Sequence, residues 1–142
     1  MGIKYGLLQI TGYFYMKSLA FALLLLIPFV HKAKSADYAY YGFEPQIVTN
    51  YVAVKKKMGY VRLSVELMIE DSANYEAVEH HSPLLRDAII GIIGQQPESK
   101  IKSINGRHEI QKLCEEKVKS LLKQETGQPL IKKLLFTQWL DN

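Results

Sequence analysis

The sequence predicts a small α+β domain in which helices pack on one face of an antiparallel or mixed sheet. Three observations lead to this class: an apolar and polar alternation of strand period, two stretches of apolar residues at helical spacing, and a strand-like run close to the C-terminus. With 142 residues, of which 48% are hydrophobic, the chain can form one domain with a buried core besides a targeting segment. The predicted order over residues 47–142 is strand, strand, helix, helix, strand, with the first helix either whole or divided.

An apolar run at residues 19–30 dominates the N-terminal region. A helix of about 12 residues spans roughly 18 Å, which is well short of the roughly 30 Å hydrocarbon core of a bilayer. The run therefore has the length of a signal-peptide core, with Lys17 as the preceding charge. On this interpretation cleavage follows Ser35, and either Met16 or Met1 is the true start.

A longer membrane helix, extended back to Gly6, is the alternative. It would place Lys17 near mid-membrane at a cost of about 2.5–3.5 kcal/mol unless the side chain reaches an interface. Both alternatives make residues 1–35 an N-terminal extension with an export signal or a membrane anchor. Residues 36–46, which are aromatic, polar and turn-forming, follow as a linker or extended lead-in.

Two strands joined by a hairpin are predicted next. Residues 47–54 are rich in β-branched and aromatic side chains, and residues 55–59 form the connecting loop. From Val61 to Ile69 every second residue is apolar, while the residues between them are mostly polar. Because side chains alternate faces along a strand, this segment has one apolar face, which predicts a half-buried antiparallel strand.

Helical spacing of apolar residues begins after this strand. Asp71 and Ser72 can cap a helix whose apolar positions continue for several turns, and the Gly94–Pro97 cluster ends it. Pro83 lies inside the pattern. It either kinks one long helix or sits in the first turn of a second helix that Ser82 caps.

A further amphipathic helix is predicted over residues 110–123, where Glu115 and Lys119 are spaced to pair at i,i+4. Residues 126–129 stop it, because they contain Gly and Pro. Residues 130–140 then form a final strand, which ties the C-terminal end of the chain into the sheet.

Few residues suggest catalysis or metal binding. Cys114, the one cysteine, excludes an intramolecular disulfide and lies on the apolar side of its helix, which predicts a buried structural thiol. His80 and His81 would point about 100° apart on a helix, so a shared ion would also need His108 or carboxylates, and surface histidines are the better interpretation. Since glycine-rich nucleotide loops and a G-x-S-x-G motif are absent, we predict no catalytic, cofactor-binding or metal-binding residues and no small-molecule substrate.

The formal net charge of +4 does not by itself predict a nucleic-acid partner. The lysine clusters lack interleaved aromatic residues that would stack on bases, apart from Tyr51 and Tyr60 beside Lys55–Lys57. Solvated faces, with some attraction to anionic lipid headgroups, explain these lysines better. The sequence therefore predicts no nucleic-acid binding.

Two features exceed what a core requires. Arg86 and Asp87 follow Pro83 on an otherwise apolar helix, where they can form an internal ion pair, a subunit contact or a single charged face. Phe136 and Trp139 place large aromatic side chains near the end of the chain, either in the core or at an interface.

The order and spacing of several segments resemble the periplasmic domains of the FliL family. Each segment alone is a weak signal, but together they are fairly specific and cover roughly residues 44–140. The segments are Glu44-Pro45, Ile47-Val-Thr-Asn-Tyr51, Tyr60-Val-Arg-Leu-Ser-Val-Glu-Leu67, His81-Ser-Pro-Leu-Leu-Arg-Asp-Ala-Ile-Ile90, Ser103-Ile-Asn-Gly-Arg107 and Leu135-Phe-Thr-Gln-Trp139.

The resemblance implies a non-enzymatic accessory of the flagellar basal body, associated with the bacterial inner membrane and facing the periplasm. The implied partners are flagellar stator and basal-body proteins, beside which the protein supports rotation, motility and chemotaxis. A stomatin-like domain implies homo-oligomeric rings. Pro83, Arg86 and Asp87 match a family motif, so we expect them to be structural or to contact a partner or another subunit.

The chain departs from the family in its N-terminal run, which is short and contains Pro28 where a full transmembrane helix is usual. If that segment is cleaved, the protein is soluble in the periplasm. Two other functions stay open: a general stomatin-like envelope scaffold without a motor role, and a small periplasmic hydrolase that uses His80 or His81 with a nearby carboxylate.

Overall fold

The computed structural model describes residues 37–54 and 58–142. These residues form four strands and four α-helices, and the strands make one antiparallel sheet. The strands are β1 (Ala39–Gly42), β2 (Ile47–Tyr51), β3 (Gly59–Ile69) and β4 (Ile131–Asp141), and the helices are α1 (Tyr75–His80), α2 (Ser82–Gly94), α3 (Glu98–Lys102) and α4 (Ile104–Thr126). The longer helices cover one face of the sheet, so the predicted α+β class is confirmed.

The predicted N-terminal extension, residues 1–35, lies outside the described residues. The two alternatives for it, an export signal cleaved after Ser35 and a retained anchor, therefore stay predictions. In the part of the chain that the structure describes, no helix is long and apolar enough to cross a membrane.

Strand β3 is the centre of the sheet. It pairs with β1 and then β2 along one edge and with β4 along the other, always in antiparallel orientation. Alternate residues from Val61 to Ile69 are almost fully buried, which confirms the predicted apolar face. The predicted pairing of the first two strands is also confirmed, because β2 pairs with β3 and Ile47 lies opposite Leu63. The first strand is shorter than predicted and ends at Tyr51, and Gly59, predicted in the loop, is the first residue of β3.

Strand β1 lies inside residues 36–46, the segment predicted as a linker or extended lead-in. β3 has 11 residues and β2 only 5, so about half of that edge of β3 would stay unpaired without another strand. Residues 39–42 fill this gap opposite Ile69 to Glu66. Four residues carry too little periodicity to distinguish a strand from a linker, and only pairing with a distant strand decides the structure.

Pro83 separates two helices and does not kink one long helix. α1 ends at His80 and α2 begins at Ser82, with the proline in the first turn of α2. A proline is well tolerated there, because the N–H that it lacks would have no partner inside the helix. Ser82, predicted as the cap, is instead the first helical residue, and His81 occupies the cap position without a side-chain hydrogen bond.

Helix α4 begins at a tight turn that follows α3, a short helix that the sequence pattern did not predict. The Ser103 hydroxyl accepts a hydrogen bond from the Gly106 amide at 3.0 Å. A Cβ atom at position 106 would lie 2.2 Å from the Lys100 carbonyl oxygen, so this turn requires glycine. The helix is longer than the predicted residues 110–123, since it runs from Ile104 to Thr126. The following Gly127, in the segment predicted to stop the helix, adopts a left-handed φ of 84°.

The hydrophobic core lies between the sheet and helices α2 and α4. α2 contributes Leu85, Ile89 and Ile93, which are fully buried. α4 contributes a buried stripe at i,i+4 spacing, which consists of Ile110, Cys114, Val118 and Leu122. Burial of these apolar faces holds both helices on the sheet, because helices of this length gain most of their stability from tertiary packing.

The last residue of the chain is tied into the sheet, as predicted. The Asn142 amide donates to the Tyr60 carbonyl oxygen at 3.3 Å, and the Asn142 Oδ1 accepts a hydrogen bond from the Tyr60 amide at 2.8 Å. The Tyr51 hydroxyl donates to the Asn142 carbonyl oxygen at 2.6 Å. These contacts fix the end of β4 against the β2–β3 hairpin.

Side chains of α4 protect the free edge of β4. Among the described strands, β4 pairs with β3 alone, although it is 11 residues long. Gln111 Nε2 donates to the Leu134 carbonyl oxygen at 2.8 Å, and Glu115 Oε2 accepts a hydrogen bond from the Leu134 amide at 3.2 Å. The two side chains thus take the place of a neighbouring strand at Leu134, which discourages pairing with other chains there. Glu115 also forms the predicted i,i+4 ion pair with Lys119, at 2.7 Å.

These contacts predict how the stability depends on pH. Burial raises the pKa of Glu115, but the hydrogen bonds from Lys119 and the Leu134 amide outweigh it and hold the pKa below its ordinary value of 4.5. Because the folded state has the lower pKa, ionised Glu115 stabilises the fold above the unfolded pKa, and this contribution disappears as the pH falls through the folded pKa. We expect Glu115→Gln to lower the free energy of unfolding at pH 7 and to flatten its decline towards pH 3.

Urea denaturation at a series of pH values, followed by circular dichroism, measures this effect. The control is Glu116→Gln, which changes an exposed carboxylate one residue further along α4. Identical pH profiles for Glu115→Gln and the unmodified chain would show that the negative charge of Glu115 contributes nothing to the stability.

Candidate functional site

The exposed side of α2 is the first candidate for a contact surface. Arg86 and Asp87 are the only charged residues of this helix. Leu84, Asp87 and Gly91 are exposed at i, i+3 and i+7, on the side opposite to the buried residues. Pro83 is exposed in the first turn, beside Leu84. We call the surface formed by Pro83, Leu84, Asp87 and Gly91 the Asp87 surface.

Arg86 is half-buried, and its side chain contacts another part of the domain instead of joining this surface. Its Nη2 donates to the Pro45 carbonyl oxygen at 2.7 Å, and its guanidinium carbon lies 5.5 Å from the centre of the Phe43 ring. Phe43 and Pro45 lie in the connection between β1 and β2. Arg86 therefore fastens α2 to this connection through a charged hydrogen bond and a cation–π contact.

Asp87 differs from Arg86 in its exposure and in its contacts. It is exposed, and none of the ion pairs or hydrogen bonds found among residues 37–54 and 58–142 involves its carboxylate. The internal Arg86–Asp87 ion pair that the sequence allowed is thus not formed in this part of the chain. The structure divides the predicted motif into an internal contact, Arg86, and two outward residues, Pro83 and Asp87, whose role in binding stays a prediction.

A second surface lies on the face of the sheet that the helices leave open. Val48, Arg62 and Leu140 lie side by side on β2, β3 and β4, because Val48 and Leu140 both pair with Arg62. Tyr60 lies two residues from Arg62 on the same face. Val48 is 54%, Leu140 53% and Tyr60 47% exposed, and they line a shallow cleft of about 230 Å³. We call these four residues the Arg62 patch.

Sequence reasoning missed the Arg62 patch. Alternation along β3 correctly placed Arg62 on the open face, but it gave no reason to expect apolar residues beside it. Val48 and Leu140 read as ordinary apolar strand residues, and only the pairing register brings them together. The one available signal was Val48, an aliphatic residue on the side of β2 opposite to its buried residues.

The aromatic residues near the C-terminus pack at the rim of the core. The Phe136 and Trp139 rings lie 5.1 Å apart and are both half-buried. Arg107 forms an ion pair with Asp141 at 2.8 Å, and its guanidinium carbon lies 5.5 Å from the centre of the Trp139 ring. The indole N–H of Trp139 is buried and has no hydrogen-bond partner among the described residues. These aromatic side chains therefore serve mainly to pack β4 against α4.

The histidines and the cysteine are the other residues considered for catalysis or metal binding. The rings of His80 and His81 are 5.0 Å apart and perpendicular, and His108 lies exposed on α4. In the ranges 37–54 and 58–142, no three His, Cys, Asp or Glu residues are close enough to hold a metal ion. Cys114 is fully buried, as predicted, and burial raises the pKa of its thiol to about 12.

Comparison with known proteins gives one family. The family model described as flagellar basal body-associated protein FliL matches residues 40–140. No curated individual protein matches the chain significantly. The matched range runs from the first strand to the end of the last, and it includes both the Asp87 surface and most of the sheet that carries the Arg62 patch.

The contrast between Arg86 and Asp87 can be tested by stability. We expect Arg86→Ala to lower the free energy of unfolding by about 1–3 kcal/mol, because a charged hydrogen bond and a ring contact are lost. Asp87→Ala is the matched control and should change it by less than about 0.5 kcal/mol, as is usual for exposed positions. Chemical denaturation measures both values, and equal effects of the two substitutions would contradict the assignment.

The buried thiol can be tested by its reactivity. Since the pKa of Cys114 is about 12, the thiol is neutral at pH 8 and shielded from reagents in the folded protein. We expect no reaction with a thiol reagent at pH 8 until denaturant is added, and one thiol per chain afterwards. Ser120→Cys, which adds an exposed thiol on the same helix, should react in the folded state and is the positive control. Rapid labelling of the unmodified folded chain would refute the buried assignment.

Proposed function

The chain belongs to the FliL family of flagellar basal body-associated proteins, and we propose that it acts there as a non-enzymatic accessory of the motor. On this proposal it binds stator and basal-body proteins and supports flagellar rotation. The single observation that carries the proposal is the family match, which extends over almost every element of the fold. The proposal therefore rests on the match over the whole domain and not on one short motif.

The features of the domain support a role in binding. α2 is fixed to the sheet by its buried residues and by the Arg86 contact with Pro45, so the Asp87 surface is held in one orientation. A rigid, partly apolar surface around one carboxylate loses little conformational entropy when it binds, which favours a specific partner. We assign Pro83 and Asp87 to partner or subunit contacts, and Arg86 to holding the helix that presents them.

The location follows from the same proposal. An apolar N-terminal run would direct the chain to the inner membrane, with the domain on the periplasmic side, or release it there if cleavage occurs. Self-association of the domain would bring several copies together at one basal body. Repetition of a weak contact in this way strengthens the attachment to a multi-copy partner without any new contact per copy.

The proposal predicts a defect in motility that depends on load. We expect deletion of the gene to leave flagellar number unchanged and to reduce swimming speed, with a larger reduction in viscous medium. Restoring the gene with Asp87→Lys should not restore the speed, whereas Glu116→Lys, the same charge reversal on the exposed side of α4, should restore it. Cell tracking at low and high viscosity, with flagella counted by electron microscopy, gives both readouts.

Other outcomes would assign another function. Unchanged swimming at both viscosities would overturn the motor role and leave a general envelope scaffold. Full restoration of speed by Asp87→Lys would retain a motor role but remove the Asp87 surface from it. Loss of function on replacing both His80 and His81 with alanine, with the fold intact, would support the hydrolase alternative.

A further inference from the structure

The Asp87 surface and the Arg62 patch lie on opposite sides of the domain. The residues of β3 next to Arg62, Val61 and Leu63, face the core under the helices, so Arg62 points to the opposite side. α2 packs on the helix-covered face through its buried residues, and Asp87 lies on the side of α2 that points away from the sheet. Each copy of the domain therefore carries one of these surfaces on each side.

The two surfaces are complementary in charge. Arg62 is exposed, and no ion pair or hydrogen bond of its guanidinium group is found among the described residues. Asp87 is likewise exposed and unpaired within the same ranges. One surface thus offers a guanidinium group and the other a carboxylate, and neither group forms an ion pair among the described residues. A guanidinium group and a carboxylate form the strongest charge-assisted hydrogen bonds, because two parallel bonds fit their planar shapes.

The two surfaces are also alike in their apolar surroundings. Val48 and Leu140 flank Arg62 along one row of the sheet, while Leu84 and Pro83 flank Asp87 on α2. Apolar rims that meet around a charge pair exclude water from it, which strengthens the attraction and penalises a partner without the matching charge.

Gly91 supplies room for close approach. It lies one turn after Asp87 on the same side of α2, and a Cβ atom built at this position would have no neighbour within 4 Å. Glycine weakens the interior of a helix, and here no contact within the domain requires the missing side chain. The gap would accept a large side chain of a second molecule, for which Tyr60 of the Arg62 patch has suitable size.

We propose that the Arg62 patch of one copy docks on the Asp87 surface of the next copy, with an Arg62–Asp87 ion pair at the centre of the contact. The occupant of each surface is thus a second copy of this chain. The inference deepens the proposed function, on which it rests for self-association, by naming both sides of the contact. Because the two surfaces differ and lie on opposite sides, every copy can hold two neighbours, and repetition of the contact gives a ring or an open filament.

Disulfide trapping in cells tests the contact directly. One version of the full chain carries Val48→Cys beside Arg62, and a second version carries Leu84→Cys beside Asp87, so the ion pair itself is retained. We expect a disulfide-linked dimer when the two versions are produced together and none when either is produced alone. The unmodified chain, whose Cys114 is buried, is the blank. A symmetric contact would instead link one version to itself, and this result would overturn the proposal.

Charge reversal tests the ion pair. In the same trapping experiment, we expect Arg62→Glu on the first version, or Asp87→Arg on the second, to reduce the linked dimer at least tenfold. The two reversals together should restore most of it, because the attraction is re-formed with the charges exchanged. Thermal unfolding of each variant shows whether the fold is kept. Linked dimer that is insensitive to both single reversals, or absent in the unreversed pair, would overturn the proposal.

Sedimentation of the purified full chain in detergent tests the contact without introduced cysteines. Gly91→Tyr fills the open space on α2, so it should leave the fold intact and shift the sedimenting species from oligomer to monomer. Sedimentation unchanged by Gly91→Tyr would count against the contact. Swimming speed distinguishes the failure of this contact from the failure of the motor role. If Arg62→Glu abolishes disulfide trapping but leaves swimming normal, the motor role does not need this contact. Normal trapping in cells whose swimming does not depend on the gene would overturn the motor role alone.

Discussion

The structure depends on the burial of one face of β3. Among the described residues, every other strand pairs with β3, and both long helices pack on its apolar face, from Val61 to Ile69. A shift of the pairing register by one residue would turn these side chains to solvent and bring Arg62 into the core, which is prohibitively unfavourable. This constraint fixes which side of the domain is covered by helices and which stays open. Both candidate contact surfaces follow from it.

Two other polar sites of the domain have partners within the domain itself. The free edge of β4 is occupied at Leu134 by Gln111 and Glu115, and Arg86 is engaged by the connection between β1 and β2. Arg62 and Asp87 are exposed beside apolar residues, and none of the ion pairs or hydrogen bonds found among the described residues involves their side chains. A domain whose β4 edge is engaged at Leu134 and whose two surfaces stay open is suited to binding through side chains.

Exposed charged and apolar surfaces on a rigid domain are suited to a protein associated with the flagellar basal body. An accessory that works by contact requires a fixed scaffold and exposed groups that tolerate water until a partner arrives. The buried face of β3 and the helices on it provide the scaffold. The thiol of Cys114 does not contribute to such a surface, because it is buried in the core, where burial raises its pKa to about 12. The proposed binding role therefore relies on exposed charged and apolar side chains and not on the buried thiol.

The sequence alone determined the elements that have a strong period: the alternation of β3, the amphipathic α4 with its Glu115–Lys119 pair, and the last strand. It also determined the family, because the order of motifs along the chain carries that information. Only the tertiary structure decided that residues 39–42 form a strand, that Arg86 is internal, and that Val48 and Leu140 flank Arg62. The physical reason is the distance along the chain over which each interaction acts. Hydrophobic periodicity and helix caps depend on residues a few positions apart. The contacts that only the structure decided join residues far apart in the chain, which meet only when the sheet has formed.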